Sequence, residues 1–242
     1  GDPDFVTSLA RGLAVMHAFS QKRRHLSIAQ VAHRTGVSRA AARRSLHTLR
    51  CLGYVSTDES NRYFLRPKVL AFGDAYLSAT PIAVFAQSVL DKLSDEVQES
   101  CSLGILDGDE VVYLARSVSS RIFSTTLNVG RRLPAYCTSI GNLLLGELPP
   151  DKLDAYLAQV RLHAHTNWTV TSTETVRELA TSAASAGYAI SDQQWEPRIC
   201  TIAVPVRDTS GTAVAGINLL FQSGRMTQRA MADRFMRPLQ EA

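Results

Sequence analysis

The sequence predicts an α+β protein in two parts. An N-terminal winged helix-turn-helix of residues 1–65 is joined by a linker helix over 66–80 to a C-terminal α+β domain of 81–242 built on an antiparallel sheet. Three observations predict this. Charge is divided unevenly: the 242 residues carry a net +4, but residues 1–80 hold 12 Lys/Arg against five Asp/Glu, a net of +7. The remaining residues hold 14 against 17, a net of −3, and no acid occurs from Phe5 through Thr57. Within that basic segment, two short helical patterns meet at a glycine turn and lead into a short hairpin. Beyond Cys101, runs of strand-like alternation are separated by Asp-Gly and Ser-Gly turns and by amphipathic helical stretches.

Composition narrows the class further. With 45% hydrophobic and 20% charged residues, collagen-like, disordered and disulfide-scaffold proteins are set aside. The longest apolar stretch, Val214–Phe221, is broken by Gly216 and Asn218, far short of the roughly 20 residues that cross a bilayer. No basic start followed by an apolar core marks a secretory signal. The expectation is a cytoplasmic protein with no membrane partner.

The elements follow in order. Ser8–Ser20 places Leu9, Leu13, Val15, Met16 and Phe19 close to a helical stripe. Ser27 with Gln30 three residues on matches a capping box, in which serine accepts an orphan N–H and glutamine reaches back. The helix it opens, Ile28–Arg34, ends at Thr35-Gly36-Val37, where Gly36 suits the left-handed stop. Ser38 caps a third helix, Arg39–Leu52. If Ala42, Leu46 and Leu49 are its buried line, Ala40, Arg44 and His47 lie opposite, with Arg43 and Arg50 on the flank and Arg39 in the first turn. A cation in the first turn opposes the helix dipole, which a purely structural helix would avoid. A small Ala40 beside arginines lets the helix approach a groove floor, and arginine pairs bidentately with guanine. Gly53–Ser56 and Arg62–Leu65 read as the strands of a wing about a turn at Thr57–Asn61, with Arg62 near its tip as a phosphate contact. Ser27, Ser38, Arg39, Ala40, Arg43, Arg44, His47 and Arg62 are therefore the candidate DNA contacts, and the partner is double-stranded DNA.

The segments Ser8-Leu9-Ala10-Arg11-Gly12-Leu13, Thr35-Gly36-Val37-Ser38-Arg39-Ala40-Ala41-Ala42-Arg43-Arg44 and Leu52-Gly53-Tyr54-Val55 resemble the start of an IclR-type transcriptional regulator. Leu133-Pro134-Ala135-Tyr136-Cys137-Thr138-Ser139-Ile140-Gly141 and Ile202-Ala203-Val204-Pro205-Val206 continue the resemblance over nearly the whole chain. Within the family it is most similar to the branch controlling protocatechuate and 4-hydroxybenzoate catabolism. The resemblance implies a GAF-like sensor, a linker that helps pair two DNA-binding heads, and a small carboxylate effector, an aromatic acid or a ring-cleavage metabolite. One recognition helix reads few base pairs, so a homodimer or dimer of dimers on palindromic half-sites is expected.

In the second part, Ile82–Glu99 reads as a helix and Cys101–Leu106 with Glu110–Arg116 as a hairpin about Asp107-Gly108-Asp109. Ser124–Asn128 reads as a further strand, and Ser139–Glu147 and Asp151–Leu157 as short helices. Thr171 with Glu174 reads as a second capping box, opening a helix that ends near Gly187. Strands are expected over Tyr188–Ser191, Ile199–Arg207 and Ala213–Phe221, with a turn at Asp208–Gly211 and a last helix over Thr227–Met236.

No nucleophile elbow, phosphate loop or zinc motif occurs, and Cys51, Cys101, Cys137 and Cys200 show no metal-ligand spacing. The expectation is a non-enzyme with no cofactor and no metal, its cysteines reduced; His163-Ala164-His165 reads as a solvent-exposed pair. By the resemblance, the effector meets backbone amides at Ser139 and Ile140, at a helix N-terminus that favours a carboxylate, with Thr201, Asn218 and Asp192 around it. Glu196-Pro197-Arg198 departs from the family's Glu-x-Gly. Arg198 and Arg116 are candidates for pairing the anion, or else are structural ion pairs. Tyr113 and Trp195 are candidates for covering an aromatic ring, with ordinary strand packing the alternative for Tyr113. Two rival readings remain: a constitutive DNA-binding protein whose second domain only oligomerises, and a DNA-tethered enzyme.

Overall fold

The computed structural model describes residues 2–20, 22–119 and 127–242. The chain divides into two compact units, Gly1–Tyr76 and Leu77–Ala242.

The first unit holds α1 (Thr7–His17), α2 (Ile28–Thr35), α3 (Arg39–Cys51), β1 (Val55–Thr57) and β2 (Tyr63–Leu65). A 3₁₀ turn at Pro67–Val69 then leads into α4 (Leu70–Ala79). Local chemistry sets the starts and stops. Ser27 Oγ accepts from Gln30 N at 3.3 Å while Gln30 Oε1 accepts from Ser27 N at 2.9 Å, completing the capping box. Gly36 ends α2 at φ +69, a conformation that a side chain would strain. Ser38 Oγ accepts from Ala41 N at 3.2 Å and starts α3. Val15, Phe19, Leu26, Val31, Ala42, Leu46 and Val55 pack into one core.

Two details differ from the expectation. The first helix stops at His17, because Ser20 turns back to pair with Arg23. Its Leu9 and Leu13 are exposed rather than packed, at 62% and 55%. They line an apolar groove with Leu49, Leu52, Tyr54 and Phe72. The wing is also larger than its two strands. Leu26 and Tyr63 exchange both backbone hydrogen bonds, at 2.9 and 2.8 Å, so the segment before α2 adds a third rung.

The second unit is a six-stranded antiparallel sheet between two helical layers. Its elements are α5 (Pro81–Val97), β3 (Ser100–Asp107), β4 (Glu110–Ser117), β5 (Arg132–Pro134), α6 (Ser139–Gly146), α7 (Pro150–Gln159), α8 (Thr173–Ala186), β6 (Ala189–Asp192), β7 (Ile199–Arg207), β8 (Ala213–Gln222) and α9 (Gln228–Glu241). Strand order is β5-β4-β3-β8-β7-β6. Alternation sends Cys101, Leu103, Cys200, Ile202, Ile217, Leu219 and Phe221 toward α5 and α9. The other face carries α6, with α7 and α8 packed in the same core. Every residue from Ser139 to Leu145 is buried, as expected of a helix that is apolar all round. A Cβ at Gly141 would lie 2.0 Å from the Ala135 carbonyl, and one at Gly146 would lie 2.0 Å from the Ala180 carbonyl. Glycine alone lets α6 sit that deep.

Two expectations are corrected here, and a third lies largely outside the described residues. The cap of α8 is Ser172, accepting from Thr175 N at 3.3 Å, not Thr171. Glu174 instead accepts from Ser172 Oγ at 2.7 Å and Thr173 Oγ1 at 3.2 Å. The last helix runs through Pro238 to Glu241, because Met231, Phe235 and Leu239 continue one buried stripe past the proline. The strand expected over Ser124–Asn128 falls largely outside the described residues, and Leu127 and Asn128 are not in a strand. A strand does form at Arg132–Pro134, on the free edge of β4.

Candidate functional site

The third helix presents its basic face as the wheel predicts. Arg39, Ala40, Arg43, Arg44, His47 and Arg50 are exposed, while Ala42 and Leu46 are buried and Leu49 half-buried. Arg43, Arg44, His47, Thr48 and Arg50 of α3 face Thr57, Asn61 and Tyr63 of the wing across one open groove. The hydroxyls of Ser27 and Ser38 are spent on helix caps. Arg34 also belongs to the scaffold: its Nε donates to the Ala18 carbonyl at 3.0 Å.

Arg62 is not simply a free cation at the wing. Its Nε lies 3.1 Å from Asp58 Oδ2, and the same oxygen lies 2.9 Å from His25 Nδ1. Asp58 Oδ1 further accepts from the Ser60 and Arg62 amides, at 3.0 and 2.8 Å. These bonds hold the Asp58 carboxyl below the ordinary aspartate range, the Arg62 amide contributing most. Sequence reasoning missed Asp58 and Asn61, which stands at φ +57 in the wing turn. The cluster Thr57–Asn61 read only as a turn.

In the second unit a pocket opens between the sheet and the segments over it. Tyr113, Leu127, Arg131, Leu133, Cys137, Thr138, Ser191, Gln194, Trp195, Glu196, Ile199, Thr201, Asn218 and Leu220 line it. The cavity measures about 50 Å³, where one water fills roughly 10–15 Å³. A cavity that takes a benzene ring measures about 150 Å³, so this one admits a ring only when its lining side chains move. Asn218 is 2% exposed and its Oδ1 has no hydrogen-bond partner among the described residues. The same holds for the buried Arg131 Nε. Buried polar atoms are normally paired, so such orphans mark where a ligand or water completes the site. Burial pushes the Cys137 thiol up to about 12, and the Tyr113 hydroxyl is raised by the same desolvation. Desolvation also raises the Glu196 carboxyl, and the Arg116 charge opposes it.

Of the expected effector residues, Tyr113, Trp195, Thr201 and Asn218 line this pocket, while Ser139, Ile140, Asp192, Arg116 and Arg198 do not. Ser139 and Ile140 lie one step beneath it. Ile140 packs over Gly216, and the buried Thr138 and Cys137 line the pocket at the lip of the helix start. The Ser139 and Ile140 amides have no acceptor among the described residues. Asp192 pairs in register with Cys200, on the α9 side of the sheet, whereas Ser191 pairs with Thr201 inside the pocket. In a strand, one residue changes the face. Arg198 is exposed at φ +68 and is absent from the lining. Arg116 acts through the wall: its Nη1 donates to the Leu127 carbonyl, and Leu127 lines the cavity. The cation in the pocket is Arg131, which sequence reasoning did not single out. Only its placement beside β5 could have revealed it.

His163 and His165 are also not idle. The Tyr136 hydroxyl donates to the His163 carbonyl at 2.8 Å and meets His165 Nε2 at 3.0 Å. Among the described residues no group of three or more His, Cys, Asp or Glu could hold a metal ion, and no single helix is long and apolar enough to cross a membrane.

A winged helix with an acid-free arginine face, followed along the chain by an antiparallel-sheet domain with a small pocket, defines a DNA-binding transcriptional regulator. The chain belongs to the IclR family of transcriptional regulators. Residues 8–59 match the IclR helix-turn-helix domain and residues 74–242 the IclR C-terminal domain of bacterial transcriptional regulators. It is 46% identical over 237 residues to the Pca regulon regulatory protein of Pseudomonas putida, covering 98% of this chain and 81% of that protein. It is 35% identical to the p-hydroxybenzoate hydroxylase transcriptional activator of Acinetobacter baylyi, covering 96% and 88%. These relatives place it with the protocatechuate and hydroxybenzoate regulators of the family, and they are named as regulators, not enzymes. Its fold matches that of an IclR homolog complexed with 4-hydroxybenzoate from Microbacterium hydrocarbonoxydans, at TM-score 0.77 and 23% identity over 97% of this chain and 95% of that one.

Proposed function

We propose that this regulator controls genes of aromatic-compound catabolism in response to a single-ring aromatic carboxylate, bound in the pocket of Tyr113, Arg131, Trp195, Thr201 and Asn218. One observation carries the reading: Arg131 and Asn218, two residues lining a small cavity with two aromatic walls, each hold a buried side-chain polar atom that has no partner among the described residues. Arg131 answers a carboxylate, Asn218 Oδ1 answers a hydroxyl proton, and Tyr113 and Trp195 flank a ring. The α6 amides of Ser139 and Ile140 add a positive dipole end beneath the lip. The names of the relatives and the 4-hydroxybenzoate complex support the same class of ligand.

The protein acts in the cytoplasm as a homodimer or dimer of dimers on paired half-sites. Arg43, Arg44 and His47 address the major groove from α3, and Arg39, with the caps Ser27 and Ser38, lies along the backbone beside Ala40. Arg62 reaches a phosphate from the wing. The effector can shift operator affinity only by the difference in its own affinity for the two sensor states.

The test is a panel of aromatic and dicarboxylic acids, each added at fixed salt to the full-length protein on a duplex selected from a randomised pool. A hydroxybenzoate is expected to change affinity, and Arg131→Ala to abolish that response while leaving ligand-free DNA binding intact. If no acid on the panel moves binding or thermal stability, the second unit serves only assembly. Turnover of an aromatic acid by the pure protein would instead make it an enzyme.

A further inference from the structure

The solvent-side wall of the pocket is clasped by a strap that supplies no lining residue. Residues 163–170 lie against 193–195: Thr166 Oγ1 donates to the Gln193 carbonyl at 2.7 Å and Thr169 Oγ1 to the Gln194 carbonyl at 2.5 Å. Gln194 Oε1 accepts from Val170 N at 3.3 Å. At the head of the strap His165 sets its ring against Trp195, with centroids 4.4 Å apart and planes tilted by 54°. Trp195 is half-buried and lines the cavity.

His165 is itself anchored to the core. Tyr136 is 1% exposed and directly precedes Cys137 of the pocket. Its hydroxyl has one proton, given to the His163 carbonyl, and accepts from the His163 amide at 2.9 Å. The remaining acceptor site meets His165 Nε2 at 3.0 Å. With Nε2 as the donor, the proton and both acceptor sites of the Tyr136 hydroxyl are used. A continuous chain Tyr136–His165–Trp195 thus runs from the buried core to the outer wall of the pocket.

We infer that His165 is a positioning residue for aromatic recognition: it holds the Trp195 indole in place against the ring of the bound acid, and so selects planar aromatic acids over flexible aliphatic ones. The inference rests on the aromatic-acid reading above and adds a determinant outside the pocket. Ring contact contributes fully only when the indole is already ordered, because otherwise binding bears the cost of immobilising it. An aliphatic dicarboxylate offers the same charge to Arg131 but no ring face, so the order of Trp195 matters little to it.

The experiment titrates 4-hydroxybenzoate and adipate calorimetrically into the full-length wild type, His165→Ala and His165→Phe, with a thermal melt of each. His165→Ala is expected to weaken 4-hydroxybenzoate roughly 3–10-fold, the scale of one aromatic pair, and to leave adipate nearly unchanged. His165→Phe keeps a ring against Trp195 and restores most of the lost affinity. Should adipate be undetectable in every variant, the phenylalanine rescue decides. Equal weakening of both acids, no weakening at all, or no rescue in a variant that melts like wild type overturns the role of His165. If the wild type binds neither acid, the pocket reading fails and this inference with it. If the wild type binds 4-hydroxybenzoate and His165→Ala binds it equally well, only the strap loses its role.

Discussion

The arginines of α3 and the arginine of the pocket are one side chain in two settings. Arg39, Arg43, Arg44 and Arg50 stand exposed on a helix without a single acid, each solvated and each available to a phosphate or a base edge. Arg131 is half-buried, with its Nε shut away from water and without a partner among the described residues. On the helix, charge acts by number and position, since solvation keeps each cation cheap to display. In the pocket Arg131 acts by what it lacks, because a desolvated donor gains most from an anion. The two units therefore fail in different ways when altered.

The largest effect is expected where the sensor has no slack. Gly141→Val drives a side chain into the Ala135 carbonyl, 2.0 Å from the position of a Cβ, and should cost more than about 3 kcal/mol. Both tryptophans, Trp168 and Trp195, lie in the second unit, so fluorescence-monitored denaturation reads that loss directly. An unchanged midpoint would mean that α6 can lift away.

Next is the reading face. Arg44→Ala should cost roughly 1–3 kcal/mol on the preferred duplex and relax its base preference. Equal weakening on every duplex would make Arg44 a phosphate contact. Arg62→Ala should weaken all duplexes alike and flatten the salt dependence by about one counterion. A slope that does not move would show that Arg62 remains committed to Asp58. Smaller again is Ser27→Ala, which removes half of a capping box and should cost about 1 kcal/mol in the first unit. Circular dichroism should register it while the tryptophan midpoint stays put.

The smallest effect is on acidification. Burial and the neighbouring His163 hold His165 below the ordinary histidine range. The folded state then binds fewer protons than the unfolded chain once pH falls below about 6.5, so stability is full above that value and declines beneath it. The decline ends when pH passes below the folded-state value. His165→Phe should remove this component from the pH profile of the melting temperature; a profile identical to wild type would assign it elsewhere.

The legibility of the two units differs for the same reasons. Ser27 with Gln30, Gly36 and Ser38 act on amides within three residues of themselves, so helix boundaries in the first unit could be read closely from the chain. The basic face followed from a wheel, because an exposed face needs no partner to define it. The hairpins about Gly108 and Gly211 were equally local. The pocket was not. Asp192 missed it by one residue, since alternation places Ser191 inside and Asp192 against Cys200. Arg198 carried the expected charge but stands exposed, while Arg131 is delivered by the short strand β5 that no pattern announced. The His163–His165 pair is exposed, as it read, but its contacts to Tyr136 and Trp195 were not legible because those partners lie about 30 residues away on either side.

From sequence alone came the family, the winged helix with its caps, the placement of the positive charge and the alternation of sheet and helix. Each depends on short-range spacing or on composition, which the chain displays without folding. Tertiary structure alone decided which cation enters the pocket, which polar atoms are left unpaired and which histidine reaches Trp195. Those depend on burial and on the meeting of β4, β5, β7, β8 and the 163–170 strap, and desolvation exists only once these segments are packed together.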